Sequence, residues 1–428
     1  MEKINILIFP CGSEVAFEIH DALKNNVNFN VIGASSVEDK CKAVFRNYVG
    51  DLPYIQKKGF VPFLNRLIEE YRIGIIFPTH DTVTECLSRH SREINTRLAV
   101  PEYKTANICR HKKLIYEHFR DCDFNPVVFS SPEEVVFPAF LKPDVGEGGR
   151  NTHMIRDASD LAHYYDPDGD DLLVEYLTGE ELTVDCFTDR HGALRFIGPR
   201  LRGEVFGGIS VKTVRLEVSP EIREIAETIN HRLKLRGLWF FQLKKDRNEK
   251  YKLLEVSART SSTMGLYRNL GVNFQLLTAY DLMDFDVEII ENDYPIMSQR
   301  SFLTRYDIGL IYDTVYIDFD DTVTRNGEVN EFIMLFIYQQ ARKGKRLILV
   351  TRHEYDIRET LRKLKIDAGL FDSIITLGFN ESKADKIEDP KGAIFIDNAY
   401  QDRLAVKRKW NLPVFDVDAV QSLVDWRE

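Results

Sequence analysis

The sequence predicts a multidomain protein of mixed α/β and α+β class. Three observations support this prediction: a length of 428 residues, apolar strands that alternate with helices near both ends, and a strand-rich middle. Because domains usually hold about 100–200 residues, the length predicts two to four of them. Near-continuous apolar strands between helices are typical of a parallel sheet covered on both faces. We therefore expect an α/β domain at each end of the chain.

Composition excludes several classes of function. The chain is 44% hydrophobic and 29% charged, as in ordinary globular proteins, and its net charge is −10. A negative chain lacks the basic surface that general binding to nucleic acid or anionic membrane needs. The six cysteines form no C-x-x-C pair, and no apolar run approaches the roughly 18 residues of a membrane span. The sequence thus predicts a cytoplasmic protein with no nucleic-acid or membrane partner.

The first predicted domain covers residues 1–103. Short apolar runs predict strands at Ile4–Phe9, Val31–Ala34 and Ile73–Thr79. Amphipathic segments predict helices over Glu14–Leu23 and around residues 63–71. The turn after the first strand is not G-x-G-x-x-G, so no dinucleotide site is predicted there.

The second predicted domain covers residues 104–295 and begins with a basic amphipathic helix over Tyr103–Phe119. An apolar run then delivers Lys142 and breaks into the glycine-rich loop Gly146–Gly149. Glycines let backbone N–H groups converge on an anion, and the lysine supplies positive charge. The stretch therefore predicts a phosphate site, and a plain glycine-rich hairpin is the alternative.

Further along, strands are predicted at residues 172–177, 182–187, 239–243 and 251–256, and a helix begins at Pro220 after the capping residue Ser219. Gln242 and Glu255 lie on adjacent strands, so their oxygens could share a magnesium ion. Arg259 follows four residues later and could balance charge on a transferred phosphoryl group. The alternative for each of these residues is a solvated surface charge.

Taken in this order, residues from about 1 to 290 resemble the ATP-grasp superfamily, in its carbamoyl-phosphate-synthetase-like branch, with a pre-ATP-grasp domain before the ATP-grasp domain. The resemblance implies ATP and Mg²⁺ or Mn²⁺ as cofactors. It also implies an ADP-forming ligase that joins a carboxylate to an amine through an acyl phosphate. The family usually reads Glu-x-Asn-Pro-Arg where this chain has Ser257 in place of Asn.

The resemblance also assigns roles residue by residue. It makes Lys112 and Lys142 the nucleotide lysines, Gly146, Gly148 and Gly149 the lid over the phosphates, Glu175, Tyr176 and Leu177 the adenine hinge, Glu181 the ribose ligand, and Gln242 and Glu255 the metal ligands, with Arg259 catalytic. Acceptor contacts are expected at Arg200, Arg202, Gly207, Gly208 and Lys212.

After an aperiodic linker over 296–311, the third predicted domain covers residues 312–428. Strands are predicted at residues 314–317, 346–351 and 393–397, with a helix over Glu331–Arg342. Asp318 and Asp320 follow the first strand two residues apart, so in extended backbone they point the same way. One carboxylate can attack phosphorus while the other handles protons, and such chemistry needs a cation.

Four elements in this order resemble a phosphatase of the haloacid-dehalogenase (HAD) superfamily, built on a Rossmann-like parallel sheet. Asp318 to Thr322 match the D-x-D-x-T signature, and the later motifs match Thr351, Lys383 and the pair Asp397 and Asp402. The resemblance implies Asp318 as nucleophile and Asp320 as general acid and base, with Thr351 and Lys383 on the phosphate. It implies magnesium ligands at Asp318, Asp320, Asp397 and Asp402. The alternative is an aspartate-rich turn.

The sequence therefore predicts a bifunctional enzyme whose partners are a small-molecule carboxylate, an amine and a phosphorylated small molecule. A homodimer is compatible with this prediction. One alternative is a carbamoyl-phosphate-synthase-like synthetase, which is less favoured because one ATP-grasp unit would have to carry two phosphorylations. The other is an ATP-binding or scaffold half with only the phosphatase active.

Overall fold

The computed structural model describes residues 3–38, 40–146, 148–206, 209–301, 303–306 and 308–427. The chain forms two compact units, Met1–Phe302 and Leu303–Glu428. The boundary between them lies inside the predicted linker over 296–311. The further predicted division at residue 103 stays a prediction, because one hydrophobic cluster joins Ile6 and Ile19 to Phe240 and Phe274.

A five-stranded parallel sheet opens the first unit, with the strand order β3-β2-β1-β4-β5. Its strands are β1 Ile4–Phe9, β2 Phe29–Ala34, β3 Asn47–Val49, β4 Ile73–Pro78 and β5 Arg97–Leu98, and its helices are α1 Glu14–Leu23, α2 Phe60–Glu70 and α3 Asp81–Arg89. The predicted strand over Ile4–Phe9 and helix over Glu14–Leu23 are confirmed. Ser13 begins α1 because its hydroxyl accepts a hydrogen bond from Ala16 N.

The single helix predicted over Tyr103–Phe119 is wrong, since the structure has two helices, α4 Tyr103–Arg110 and α5 Lys112–His118. They are separated by His111, whose backbone is extended (φ −106°, ψ 115°). The carboxylate of Asp144 explains the break, because it lies 2.6 Å from His111 Nδ1 and accepts a hydrogen bond from Lys113 N. A tertiary contact thus overrides a continuous amphipathic pattern.

A small antiparallel sheet carries the predicted phosphate loop. Its strands are β6 Ala139–Pro143, β7 His153–Ile155 and β8 Asp171–Glu175, in the order β7-β6-β8, and the helix α6 Ala158–Tyr164 joins β7 to β8. The loop leaves β6 immediately after Lys142 and Pro143. The predicted hinge residues Tyr176 and Leu177 follow the last residue of β8.

A six-stranded antiparallel sheet completes the first unit, with the order β13-β12-β9-β10-β11-β14. Its strands are β9 Glu181–Thr188, β10 Leu194–Phe206, β11 Ile209–Arg215, β12 Gly237–Lys245, β13 Tyr251–Ser257 and β14 Met297–Gln299, and the helices are α7 Pro220–Leu233, α8 Gly265–Arg268 and α9 Phe274–Leu282. Ser219 caps α7 as predicted, by accepting a hydrogen bond from Ile222 N. Strand β14 was not predicted, because this three-residue edge strand lies in a segment without hydrophobic periodicity.

A five-stranded parallel sheet forms the second unit, in the order β19-β18-β15-β20-β21. Its strands are β15 Thr314–Ile317, β18 Arg346–Thr351, β19 Ser373–Thr376, β20 Ala393–Ile396 and β21 Val414–Phe415, with the hairpin β16 Thr324–Arg325 and β17 Glu328–Val329 and the helices α10 Glu331–Arg342, α11 Ile357–Lys363 and α12 Tyr400–Trp410. The chain order reverses between β15 and β20, the kind of position where open parallel sheets bind ligands.

All six cysteines are free thiols. Within the described ranges, no helix is both long enough and apolar enough to cross a membrane.

Candidate functional site

A cleft of about 220 Å³ in the first unit gathers most of the residues predicted to bind nucleotide and metal. The predicted residues that line it are Lys112, Lys142, Gly146, Gly148, Gly149, Glu175, Tyr176, Leu177, Glu181, Gln242 and Glu255. Glu147, in the middle of the predicted loop, lies outside the described residues. The sequence did not predict Phe140, Arg150 and Lys244, which also line the cleft.

Lys142 is a buried cation in this cleft. Its side chain is carried by β6, only 6% of the residue is exposed, and Nζ donates a hydrogen bond to the hydroxyl of Tyr116 and lies 4.8 Å from that ring's centroid. Burial, with the nearby charge of Lys112, lowers the pKa of Lys142 to about 7. No carboxylate in the described part of the chain lies within 4.0 Å of it. The site therefore favours an anionic ligand, which would compensate both lysines.

Lys112 is held against the loop that follows β6. Its backbone N–H donates to Asp144 O, and its Nζ donates to Asp144 O at 3.4 Å and to Gly146 O at 3.3 Å. Burial lowers the pKa of Lys112. The break between α4 and α5 makes this contact possible, because it brings the first residues of α5 to Asp144. The side chain of Asp144 thus positions a predicted nucleotide lysine.

Substituting Asp144 with Ala is expected to weaken nucleotide binding about tenfold and to lower the free energy of unfolding by about 1–2 kcal/mol. The change removes the acceptor for Lys113 N and the partner of His111. Nucleotide titration and thermal unfolding measure the two effects. Asp170→Ala is the matched control, because Asp170 pairs with Lys113 only at the exposed surface. Equal affinity in both variants would contradict the positioning role.

The predicted hinge and ribose residues also line the cleft. Glu175 pairs with Val127, each backbone N–H donating to an oxygen of the other residue at 2.9 Å. Glu181 lies 2.8 Å from Arg202 Nε and 4.0 Å from Lys244 Nζ. Arg202, which was expected to contact the acceptor, is therefore paired with Glu181 in this structure. Lys244 also lies within ion-pair distance of Glu181.

The predicted metal ligands stand opposite each other. Gln242 and Glu255 are register partners on β12 and β13. Burial raises the pKa of Glu255, and the charge of Asp81 adds to this effect. Among the residues that the structure describes, no cation lies within 4.0 Å of the Glu255 carboxylate. A partly buried carboxylate beside an amide oxygen fits a divalent cation, since the cation would supply the missing charge.

Protein ligands alone do not complete such a site. Across the described residues, no group of three or more His, Cys, Asp or Glu side chains is arranged to hold a metal. Magnesium usually takes one or two carboxylates together with phosphate oxygens and water. The pair Gln242 and Glu255 therefore fits a metal that arrives with a phosphate ligand.

Arg259 and Ser257 both contact Asp81, which the sequence analysis missed. Arg259 Nη2 lies 2.7 Å from Asp81 Oδ2, and Ser257 Oγ donates to Asp81 Oδ1 at 2.5 Å. Burial acts to raise the pKa of Asp81, but Arg259 holds it at about 2. Arg259 is thus anchored on α3, and it is not among the residues that line the cleft. Asp81 could have been predicted as a site residue from its position three residues after β4, at the carboxyl edge of a parallel sheet.

The expected acceptor residues are dispersed. Arg200 is 1% exposed and forms an ion pair with Asp185, at 2.7 Å from Nε, inside the six-stranded sheet. Lys212 lies 3.9 Å from Glu204. Gly207 and Gly208 lie outside the described residues. In this structure the guanidinium of Arg200 is enclosed by the protein and paired with Asp185, so its expected contact with the acceptor stays a prediction.

In the second unit, Lys383 joins the predicted aspartates. Its Nζ lies 2.6 Å from Asp318 Oδ1, 2.7 Å from Asp397 Oδ2 and 3.8 Å from Asp402 Oδ2. Asp318 and Asp397 follow β15 and β20, the adjacent strands at which the chain order reverses. Burial and the charge of Asp397 raise the pKa of Asp318 to about 7 although Lys383 opposes the shift.

Asp320 pairs with His353 instead of Lys383. Its side chain is 51% exposed, and a carboxylate oxygen lies 2.9 Å from His353 Nδ1, while His353 Nε2 lies 2.9 Å from Thr360 Oγ1. Thr351 is buried and its hydroxyl accepts a hydrogen bond from His353 N. His353 was not predicted, although it lies two residues beyond the predicted Thr351.

Asp402 binds Arg352 through two hydrogen bonds, at 2.7 and 2.8 Å. The four predicted magnesium ligands are therefore each paired with Lys383, Arg352 or His353. Their oxygens fit a hard cation in type, but a bound cation would have to share or displace these pairings.

Part of this chain is similar to proteins of known fold. A family model described as ATP-grasp in the biosynthetic pathway with Ter operon matches residues 169–299. No curated protein sequence matches significantly. The chain is similar to the biotin carboxylase domain of Hydrogenobacter thermophilus 2-oxoglutarate carboxylase, crystallised with MgADP, ADP and bicarbonate. That match has 15% identity over 68% of this chain and 72% of the other, with a TM-score of 0.57.

Two further structures are similar. N5-carboxyaminoimidazole ribonucleotide synthetase from Thermotoga maritima is 16% identical over 73% of this chain and 83% of its own, with a TM-score of 0.55. L-amino acid ligase from Bacillus licheniformis is 16% identical over 66% of this chain and 75% of its own, with a TM-score of 0.53. At these identities the likeness concerns the fold. The chain is a mixed α/β multidomain protein that contains an ATP-grasp domain.

Proposed function

We propose that the first unit is an ATP-dependent carboxylate–amine ligase that forms an acyl phosphate and releases ADP. The carrying observation is the charge arrangement of the cleft: burial lowers the pKa of Lys142 and of Lys112 and raises that of Glu255. In the described part of the chain, no salt bridge pairs any of these three side chains. Magnesium and a polyphosphate would compensate all three. The MgADP bound by the similar biotin carboxylase domain supports this proposal.

The proposed chemistry divides the cleft residues between phosphate binding and metal binding. Lys142 and Lys112 hold the phosphates, and the loop from Gly146 to Gly149 closes over them through its backbone N–H groups. Gln242 and Glu255 would hold Mg²⁺, which when bound neutralises phosphate charge. The acid's carboxylate attacks the terminal phosphorus, and the bond to the ADP oxygen breaks. An amine then displaces phosphate from the acyl phosphate.

ADP formation in the presence of a cell metabolite extract tests this proposal. The wild-type chain is expected to form ADP that depends on the extract, and Glu255→Ala is expected to lower the rate at least 100-fold, because it removes a metal ligand. Glu227→Ala, on the exposed face of α7, is the matched control and should keep the wild-type rate. Wild-type rates in Glu255→Ala would show that the metal assignment is wrong.

We further propose that the second unit is a magnesium-dependent phosphatase of the haloacid-dehalogenase type. The supporting observation is the buried Asp318 held by Lys383 at the edge where β15 and β20 end. Asp318 attacks the phosphorus of a phosphomonoester, and the bond to the alcohol oxygen breaks as Asp320 gives that oxygen a proton. Asp320 then takes a proton from the water that hydrolyses the aspartyl phosphate.

Between Thr322 and α10 the described chain forms only the hairpin β16–β17, which is too short to be a cap domain. An uncapped site of this kind suits a bulky phosphorylated substrate. We therefore propose that the protein is bifunctional and that both sites act on one intermediate, at two different positions.

A further inference from the structure

A second cavity of about 370 Å³ lies in the first unit and shares no lining residue with the nucleotide cleft. Its walls come from α1, from the segment around α8, and from β14 with the residue that follows it. The polar side chains that matter here are Glu18, Thr263, Arg268, Ser298 and Arg300. The cavity can therefore hold a small polar molecule.

Arg300 is a partly buried cation in this wall. Burial lowers its pKa, and the charges of Glu14 and Glu18 only partly oppose that shift. Both glutamates are already paired, Glu14 with Lys40 at 2.6 Å and Glu18 with Arg268 at 3.1 Å. In the described part of the chain, no carboxylate lies within 4.0 Å of Arg300, and its buried Nη1 has no hydrogen-bond partner.

A second guanidinium, which Asp185 already pairs, also acts on Arg300. Arg200 is almost fully buried, its Nη1 also has no hydrogen-bond partner, and its charge contributes to lowering the pKa of Arg300. Bringing unpaired charges out of water costs free energy unless a partner compensates them. An anion bound beside Arg300 would provide that partner.

Contacts connect this cavity to the edge that carries the proposed metal ligand. Ser257, two residues beyond the metal carboxylate, bonds Asp81 at the start of α3. Thr79, just before α3, donates a hydrogen bond to Pro10 O in the turn that leads into α1. Because β1 and β4 are adjacent and parallel, these turns share one edge of the sheet. Glu18 on α1 then lines the cavity.

We propose that the cavity binds an anionic group, a carboxylate or a phosphate monoester, of the acid that the ligase activates; this assignment of the ligand rests on the proposed function. A guanidinium presents two parallel N–H donors that match two oxygens of either group. Thr263 and Ser298 also line the cavity and supply hydroxyl groups. The acid substrate would accordingly carry a second negative group besides the carboxylate that becomes activated.

Titration of the full chain with inorganic phosphate and, separately, with acetate tests the site without any nucleotide. Phosphate or acetate is expected to bind at millimolar concentration and to raise the thermal unfolding midpoint. Because the cleft lysines and the second unit also attract anions, the readout is the difference between Arg300→Met and the wild type. Arg300→Met is expected to lose at least tenfold in affinity at one site while binding elsewhere is kept, and, without ligand, to unfold at a higher temperature than the wild type, because it loses an uncompensated charge. Preference for one probe identifies the group that the cavity recognises.

Arg223→Met, on the exposed face of α7, is the matched control and should bind as the wild type does. Arg300→Gln serves as a second variant if the methionine variant does not fold. Absence of wild-type binding to both probes, or unchanged affinity in the Arg300 variants, would overturn the proposal. ADP formation without anion binding at Arg300 would refute this inference and leave the ligase standing. Anion binding without ADP formation would refute the ligase, and with it the identity of the ligand as the ligase's acid, but not the anion site.

Discussion

Replacing Lys142 with Met is expected to abolish measurable nucleotide binding while making the ligand-free protein more stable. The lysine is buried with Lys112 near it, and its pKa is lowered from its ordinary value to about 7. Methionine fills a similar volume without a charge. We expect a nucleotide affinity at least 100-fold weaker and a free energy of unfolding about 1–3 kcal/mol higher at pH 7.5.

The same lysine gives nucleotide binding a definite pH signature. With a pKa of about 7, Lys142 is mostly neutral at pH 8 in the free protein and becomes protonated when phosphate lies against it. Binding at pH 8 should therefore take up close to one proton, and binding at pH 6 almost none. Calorimetric titrations in two buffers of different ionisation enthalpy measure this uptake.

The sign for stability follows from the lowered pKa. Because its pKa is lowered in the fold, Lys142 destabilises the folded protein. This destabilisation is absent above the unfolded pKa of about 10.4 and grows as the pH falls towards about 7. The advantage of Lys142→Met should therefore shrink as the pH rises from 7 to 10. Lys250→Met, in the exposed hairpin between β12 and β13, is the control and should change neither binding nor stability. A Lys142→Met variant with wild-type affinity would contradict the proposed phosphate site.

Asp318→Asn is expected to lower the rate of phosphomonoester hydrolysis by the second unit by a factor of at least 10³, because an amide cannot serve as the nucleophile. Asparagine keeps the shape of the side chain, and Lys383 keeps its partner Asp397. ADP formation by the first unit should stay at the wild-type rate. Release of phosphate from a generic phosphomonoester measures the hydrolysis.

Stability supplies a second readout for Asp318. Its pKa is raised to about 7 by burial and by Asp397, so the ionised form is disfavoured in the fold. The contribution of this shifted pKa to the free energy of unfolding is fully present below the unfolded pKa of about 3.9 and is lost as the pH rises through about 7. Asp318→Asn should therefore exceed the wild type in stability at pH 8 more than at pH 5. Asp385→Asn, at an exposed ion pair, is the control for both readouts; hydrolysis that survives Asp318→Asn would rule out this nucleophile.

Sequence patterns predicted the elements whose local signals agree with their tertiary setting. Strand β15 and helices α1 and α10 were predicted with the bounds that the structure has, because apolar period, cap and turn all agree. The helix break at His111 was missed, since its cause is the carboxylate of Asp144, which lies 33 residues away along the chain.

The candidate sites show the same division. The order of the motifs predicted most residues that line the cleft, because their residue types and spacing are visible in the sequence. The residues that pair with the predicted site residues could not be predicted from the sequence. Asp81 binds Arg259 across 178 residues, and His353 binds Asp320 across 33 residues, so only the fold brings these groups together. Arg200 carried a suitable charge, yet its surroundings enclose it.

Trapping with hydroxylamine tests the central claim, an acyl phosphate made in the cleft of the first unit. The full chain is incubated with ATP, magnesium, a metabolite extract and hydroxylamine, which attacks acyl phosphates to give stable hydroxamates. We predict hydroxamate and ADP in equal amounts from the wild type and from Asp318→Asn, and neither from Glu255→Ala. Hydroxamate accompanied by AMP and diphosphate, or equal yields from Glu255→Ala and the wild type, would contradict the claim.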